Sequence, residues 1–284
     1  MNHCLLIVNT FKKDALSLYP KIQDFLESKG VKSSVFSYDG TECRGDEIKS
    51  AFDEHDFVIT LGGDGTVLFA SRECAPRNIP VFPVNLGEFG FLAGVRADRW
   101  QEELLKFLEG RSSVSSRSLV SCEVLRGGST VFKTTALNDV VISSTAASRL
   151  INMDVAFNHS NLGPFKANGI IVATATGSTA YSAAAGGPII DPSLDALLLT
   201  PISSFSLSAR PLLFSPEGEL AITILPSRVQ TGLSADGQID FELFTDDVVI
   251  LRTAAHKATL VASSQVQFYN ALQSKLNWAG GPRA

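Results

Sequence analysis

Leu61-Gly62-Gly63-Asp64-Gly65-Thr66 sets one carboxylate among three glycines, between a compact apolar run, Phe57 to Leu61, and a stretch of helical character, Val67 to Cys74. In an open parallel sheet, ligands collect beyond the carboxyl ends of the strands, where this turn belongs. Glycines at 62, 63 and 65 let backbone N–H groups approach phosphate oxygens without an intervening side chain. The helix that follows offers its unsatisfied N–H groups and its dipole to the same anion. A carboxylate inside a phosphate cradle is costly unless it acts. Asp64 can accept a hydrogen bond from a substrate hydroxyl, align the oxygen and take its proton as a phosphoryl group is transferred. A contact to a metal-bound water is a second assignment, and an ordinary turn with Asp64 bonding its own backbone is a third. The turn lacks the Gly-Lys-Ser/Thr ending of a P-loop, and no GxGxxG fingerprint opens the chain, so hydride transfer has little support.

Further polar groups stand at the ends of apolar runs. Asn85-Leu86-Gly87-Glu88-Phe89-Gly90-Phe91-Leu92 is a second glycine-shaped strand exit, which alone need only shape a loop. Asn138-Asp139 precedes Val140-Val141-Ile142: Asn138 can cap or recognise an adenine or ribose edge and Asp139 can accept from hydroxyls, while an Asx turn accounts for both equally well. From Asn168-Gly169 an apolar β run enters a small-polar turn, Thr174 to Ser178, and then a short alanine-rich helix, Thr179 to Ala185, closed by Gly186-Gly187-Pro188. That turn offers hydroxyls and N–H groups, and Tyr181 adds a rigid surface and a phenol.

The elements that must position these groups fall into two textures. Leu5 to Asn9, Val31 to Ser37, Phe57 to Leu61 and Ile79 to Asn85 read as strands, alternating with helices over Asp14 to Lys29, Val67 to Cys74 and Asp98 to Leu108. This alternation predicts a largely parallel, doubly wound sheet. Arg111 to Ser118 is polar and serine-rich, a candidate linker. Beyond it, short β-rich segments punctuated by Gly127-Gly128, Pro226-Ser227 and Asp246-Asp247 predict antiparallel sheets, in the manner of a sandwich. Gln265 to Trp278 has helical spacing. The expected organisation is a Rossmann-like α/β domain over 1–115, a β-rich domain over 116–262, and a helix over 263–284 that packs back on the body or makes an oligomer contact.

Composition narrows the function. Among 284 residues, 45% are hydrophobic and 19% charged, which suits a folded chain with real cores. Lys+Arg 24 against Asp+Glu 29, with no basic run, speaks against a nucleic-acid partner. Cys4, Cys43, Cys74 and Cys122 lack zinc or CxxC spacing and read as buried thiols. The apolar start, Cys4 to Val8, is too short for a signal peptide, and no apolar run reaches membrane-spanning length. The expectation is a cytoplasmic protein with no membrane partner and no metal ligands of its own.

Gly62 through Thr66, Asn85 through Leu92, Asn138-Asp139, Thr176 through Ser182, Gly186 through Pro188, Leu207 through Pro211 and Asp236-Gly237-Gln238 together resemble the NAD kinase family of bacterial type, in order and in spacing. Gly-Gly-Asp-Gly-Thr alone is similar also to lipid kinases and phosphofructokinases. The resemblance implies a Rossmann-like N-terminal domain, a β-rich C-terminal domain and ATP-dependent phosphorylation of the 2′-hydroxyl on NAD's adenosine ribose. It makes Asp64 the catalytic base and gives Asn138 and Asp139 the dinucleotide. Thr176, Thr179, Ala180 and Tyr181 line the adenosine-containing site, partly across a subunit boundary. A homodimer or homotetramer with a shared active site, and Mg²⁺ or another divalent cation with the triphosphate, are further implications. Lys166 contacts phosphate or dinucleotide, or else faces solvent. Asp236 is a second dinucleotide contact or a turn residue, and Arg210 neutralises phosphate or makes a structural pair.

The sequence departs from the family pattern at three places. Asn168 stands where Asp is common, Ala175 where proline is usual, and Ser203-Ser204-Phe205 where a Cys-Pro-His-like stretch is often found. None removes Asp64. A diacylglycerol-type lipid kinase and a non-catalytic dinucleotide sensor are the alternatives to an NAD kinase.

Overall fold

The computed structural model describes residues 1–40, 51–87, 90–146, 149–206 and 208–276. Cys43, Glu88, Phe89, Leu207 and Trp278, named above, lie outside them. The chain divides into two compact units, Met1–Arg117 with Lys257–Ala284, and Ser118–His256.

The first unit is built on β1 (His3–Asn9), α1 (Lys13–Ser28), β2 (Lys32–Tyr38), β3 (Phe57–Gly62), α2 (Asp64–Cys74), β4 (Val81–Asn85), β5 (Val95–Arg96) and α3 (Trp100–Leu108). Its strands pair in parallel in the order β2-β1-β3-β4-β5. The chain leaves β1 toward one edge and β3 toward the other, so the order reverses between them. In such sheets the crevice outside the carboxyl ends at that reversal is where ligands bind. All six residues of β3 are buried, as a strand covered on both faces requires, which explains an apolar run without alternation. Ile22 and Leu26 of α1 and Leu104 and Phe107 of α3 pack on Leu6, Phe57, Ile59 and Phe82.

The second unit follows β6 (Val114–Arg126), β7 (Ser129–Ala136), β8 (Asp139–Ser144), β9 (Ile151–Phe157), β10 (Ser160–Ala167) and β11 (Gly169–Ala173). A 3₁₀ turn, Thr176–Thr179, and α4 (Tyr181–Ala184) lead to β12 (Leu197–Ile202), β13 (Leu212–Phe214), β14 (Glu219–Ile224), β15 (Thr231–Ala235), β16 (Ile239–Leu243) and β17 (Val248–Val261). One antiparallel sheet runs β13-β12-β11-β8-β15-β16. The other sets β10, β9, β14 and β17 side by side, with β6 against β17 and β7 against β6. A single apolar cluster draws on both, with Val140, Ile142, Ile170 and Val172 from one and Val155, Ile222 and Leu251 from the other. That is the sandwich arrangement.

The serine-rich stretch expected as a linker is largely strand, because β6 begins at Val114. Several of its polar groups find partners within the protein, although the buried Ser112 hydroxyl has none among the described residues. Buried Arg117 donates to the hydroxyls of Ser115 at 2.7 Å and Ser263 at 3.1 Å, and the Ser118 hydroxyl bonds Asp195. Residues from Lys257 onward belong with the first unit, since the end of β17 pairs in parallel with β4 at Leu260 and Val81. There α5 (Gln265–Leu276) buries Phe268, Ala271 and Leu272. Among the described residues, no helix is long and apolar enough to cross a membrane.

Candidate active site

Asp64 is the first residue of α2, a helix whose N-terminus no side chain caps, and a negative charge is favoured there. Its carboxylate reaches the loop that follows β4. Oδ2 accepts the amide of Phe91 at 3.0 Å, and Oδ1 accepts those of Leu92 and Ala93 at 3.4 and 3.0 Å. Each carboxylate oxygen can accept two hydrogen bonds, so Asp64 keeps capacity for a substrate hydroxyl. Gly90 leaves the room this requires: a Cβ there would stand 2.0 Å from Asp64 Oδ1.

The space where a Gly62 side chain would stand is taken by Thr66. A Cβ on Gly62 would stand 2.1 Å from Thr66 Oγ1, and Thr66 is buried with its hydroxyl accepting from Asn9 Nδ2 at 3.3 Å. Gly62 and Thr66 thus brace the turn from within. The second glycine exit is tied to the first, since Leu86 donates its amide to the Gly62 carbonyl at 2.8 Å. Asn85 Oδ1 accepts the amide of Gly87 at 2.9 Å. Lys12, which the sequence reading passed over, donates from Nζ to the Leu86 carbonyl at 3.1 Å. Its position just past the strand that borders the reversal in strand order was the available signal. A cleft of about 750 Å³ opens alongside, bounded by Asp14, Asn85, Gly87, Arg96 and Asp98; Asp64 does not line it.

In the second unit, Asp236 gathers the other candidates by their backbone. Its carboxylate accepts the amides of Leu137, Asn138 and Asp139 at 2.9, 2.7 and 3.3 Å, and its own amide donates to the Asp139 carbonyl at 2.9 Å. These bonds give Asp236 a structural role at this turn. Thr174 joins the same segment, its amide donating to Asn138 O at 2.9 Å and its hydroxyl to Leu137 O at 2.6 Å, while accepting from the amide of Gly177 at 3.1 Å. Thr176 is buried and Thr179 donates to its carbonyl at 3.2 Å. Ala180 is half-buried and Tyr181, 47% exposed, opens α4. Asn138, Asp139, Thr176, Thr179, Ala180 and Tyr181 are therefore one neighbourhood.

Among the described residues, neither the half-buried amide of Asn138 nor the buried carboxyl of Asp139 has a side-chain hydrogen-bond partner. Burial, and then the charge of Asp236, push the Asp139 carboxyl up to about 7. Around neutrality it can donate a hydrogen bond as well as accept one.

Lys166 and Asn168 lie elsewhere. In the β8–β11 pairing, Ala173 is opposite Asp139 and Gly169 is opposite Ser143, so Asn168 sits just past the far end, about 17 Å along the strand at ~3.3 Å per residue. Asn168 Nδ2 donates to the Arg149 carbonyl at 3.1 Å, a bond that an ionised Asp could not make. Lys166, Arg149 and Arg228 line a cleft of about 680 Å³ with no acidic residue in its lining. Lys166 Nζ also lies 5.5 Å from the ring centre of Phe205, a residue 72% exposed. Arg210 is exposed and donates to the Ala209 carbonyl at 3.1 Å. Among the described residues, no group of three His, Cys, Asp or Glu side chains is placed to hold a metal ion.

A doubly wound sheet with a glycine–aspartate turn beside its reversal in strand order, followed by a β-sandwich with clustered polar turns, is the architecture of a nucleotide-binding protein. The family described as ATP-NAD kinase N-terminal domain matches residues 4–112, and ATP-NAD kinase C-terminal domain matches residues 137–263. The chain is 44% identical to an NAD kinase of Treponema denticola over 281 residues, 99% of this chain and 98% of that one. It is 42% identical to one from Treponema pallidum over 277 residues, covering 97% and 90%. Among solved structures, a yeast NADH kinase complexed with NADH has a TM-score of 0.89 at 22% identity, covering 100% of this chain and 89% of the other. An NAD kinase from Archaeoglobus fulgidus in complex with ATP has 0.78 at 23%, covering 99% and 100%. At those identities the structures speak for the fold. The chain belongs to the ATP-NAD kinase family.

Proposed function

We propose that the protein transfers the γ-phosphoryl group of ATP to the 2′-hydroxyl of the adenosine ribose of NAD, giving NADP and ADP. The ribose oxygen forms a bond to the γ-phosphorus, the bond from that phosphorus to the β–γ bridging oxygen breaks, and the hydroxyl proton passes to Asp64. The observation that carries this is the Asp64 carboxylate at the head of α2, fixed by three main-chain amides with acceptor capacity to spare. Such fixing suits a group that must align an oxygen, because positioning supplies much of the rate in phosphoryl transfer.

On this reading the amides of Gly63 and Gly65 serve the donor phosphates, while Asn138, Asp139, Thr176, Thr179, Ala180 and Tyr181 hold the dinucleotide. Mg²⁺ or another divalent cation would accompany the triphosphate, and Asp64 is the carboxylate at that turn that would face it. When present it offsets phosphate charge. Lys166 and Asn168, remote from Asn138 and Asp139 along the sheet, serve the site of a neighbouring copy in a homodimer or homotetramer. A reaction on ATP and NAD is in keeping with a cytoplasmic location.

A screen of acceptors and phosphate donors, with each product identified by mass and phosphate position, tests the assignment. NADP carrying the 2′-phosphate is expected, and transfer to diacylglycerol alone would refute it. Asp64→Asn should lower kcat by about 100-fold or more while NAD still binds. Near-normal turnover in that variant would remove Asp64 from its role.

A further inference from the structure

Lys12 lies at the foot of α1, three residues beyond the carboxyl end of β1, on one side of the reversal in strand order. On the other side stands the turn at Gly63. The Lys12 ammonium reaches across. It donates to the Leu86 carbonyl at 3.1 Å, lies 3.6 Å from where a Cβ on Gly63 would be, and 2.8 Å from where one on Gly87 would be. A cation is thus wedged between the two glycine-shaped strand exits. Gly87 is bare where the lysine passes over it.

The Leu86 carbonyl uses one of three ammonium donors. Among the described residues no carboxylate pairs with Lys12, in a chain whose net charge is -5. The head of α2 supplies only about half a positive charge, and Asp64 supplies a full negative one. A triphosphate brought to this turn is therefore favoured by a further cation, and Lys12 stands between the two glycine exits where it can serve.

We propose that Lys12 is a donor-phosphate ligand: its ammonium binds the terminal phosphates of the nucleoside triphosphate at the glycine turn. There it also meets the charge that builds on the bridging oxygen as the γ-phosphoryl group departs. This rests on the reading that a triphosphate is the donor, and it adds a residue to that site. Lysine suits the task as a compact point charge that can follow the moving phosphoryl group.

Steady-state kinetics of Lys12→Met and Lys12→Arg provide the test. Lys12→Met should raise the KM for ATP by about tenfold or more, as expected for loss of a charged hydrogen bond, and leave the KM for NAD within about twofold. Lys12→Arg should recover most of the loss. Inorganic tripolyphosphate, competing with ATP, should weaken by a similar factor in Lys12→Met. In the unaltered protein, ATP and tripolyphosphate should each shield the Lys12 amine from acetic anhydride, read by peptide mass, whereas NAD should not. Equal rises in both KM values, an unchanged KM for ATP, or acylation indifferent to both phosphates would overturn the proposal. If the protein made no NADP, the functional reading would fail by itself, and shielding by tripolyphosphate would still decide the role of Lys12.

Discussion

The carboxylate of Asp236 accepts the backbone amide of Asn138 at 2.7 Å, so the residue that presents Asn138 and Asp139 grips them by their main chain. Asp64 treats the loop after β4 in the same way. Each takes three consecutive amides, 91–93 in one unit and 137–139 in the other. Charge-assisted bonds of this kind are stronger than neutral ones. The two units thus position their candidate groups by one device.

Asp139 should weaken the fold as pH rises. Burial and the neighbouring Asp236 raise its carboxyl from 3.8 to about 7. Below the unfolded value both states hold the proton and nothing is lost. Between the two values the unfolded chain releases its proton while the native state retains it, so stability falls as pH rises and levels off above about 7. Asp139→Asn should therefore melt higher than its parent at pH 8, with the gap closing toward pH 4. A constant difference across that range in thermal melts would contradict the assignment.

Gly90→Ala should act on turnover. The added carbon would stand 2.0 Å from Asp64 Oδ1, so the carboxylate must leave its three amides. A displacement near 1 Å costs on the order of 100-fold in rate. We expect kcat to fall by about that factor while isothermal titration finds NAD affinity kept. Turnover close to that of the parent would show that the grip on Asp64 is dispensable.

Phe268 supports the same loop from α5. It is 5% exposed, and its ring centre lies 6.0 Å from that of Phe91, whose amide serves Asp64. Phe268→Ala should cost about 3 kcal/mol of stability from the cavity alone, and Phe268→Leu less. Turnover measured well below the melting temperature should fall more in the alanine variant than in the leucine one. Stability loss without any kinetic change would reduce Phe268 to packing.

Shared sites can be tested by mixing. If Lys166 serves a neighbouring copy, Asp64→Asn and Lys166→Ala each disable a site from opposite sides. Unfolding the two together and refolding them should then create hybrids with some intact sites, and activity should exceed the sum of the separate variants. Strict additivity in the coupled NADP assay would place Lys166 in the same site as its own Asp64.

The parallel unit was legible because its signals are local. Phe57 to Leu61 is buried throughout, and α1 and α3 follow from their amphipathic spacing. The second unit was less so. Thr231–Ala235 alternates in burial, but its Thr, Gly, Ser and Ala are too small to show a hydrophobic pattern, and Ser160–Ala167 is mostly exposed or half-exposed with Gly163 and Pro164 inside it. Arg111 to Ser118 looked like linker because its polarity is answered by partners such as Ser263 and Asp195, which lie far along the chain. The same limit applies to the site. Asp64 could be singled out by its glycine neighbours, but the loop that fixes it is 27 to 29 residues away. Asp236 left two readings open because its partners are nearly a hundred residues upstream. Lys12 carries no motif at all, and only the strand order makes it meaningful.

Both carboxylate clasps draw on amide hydrogens, which every residue except proline supplies. The clasps themselves ask nothing of the side chains at 91, 92, 93, 137, 138 and 139, which answer instead to other demands: Leu92, Ala93 and Leu137 to burial, and Phe91 to its contact with Phe268. What the clasps forbid is narrower: proline at any of the six positions, or loss of either acid.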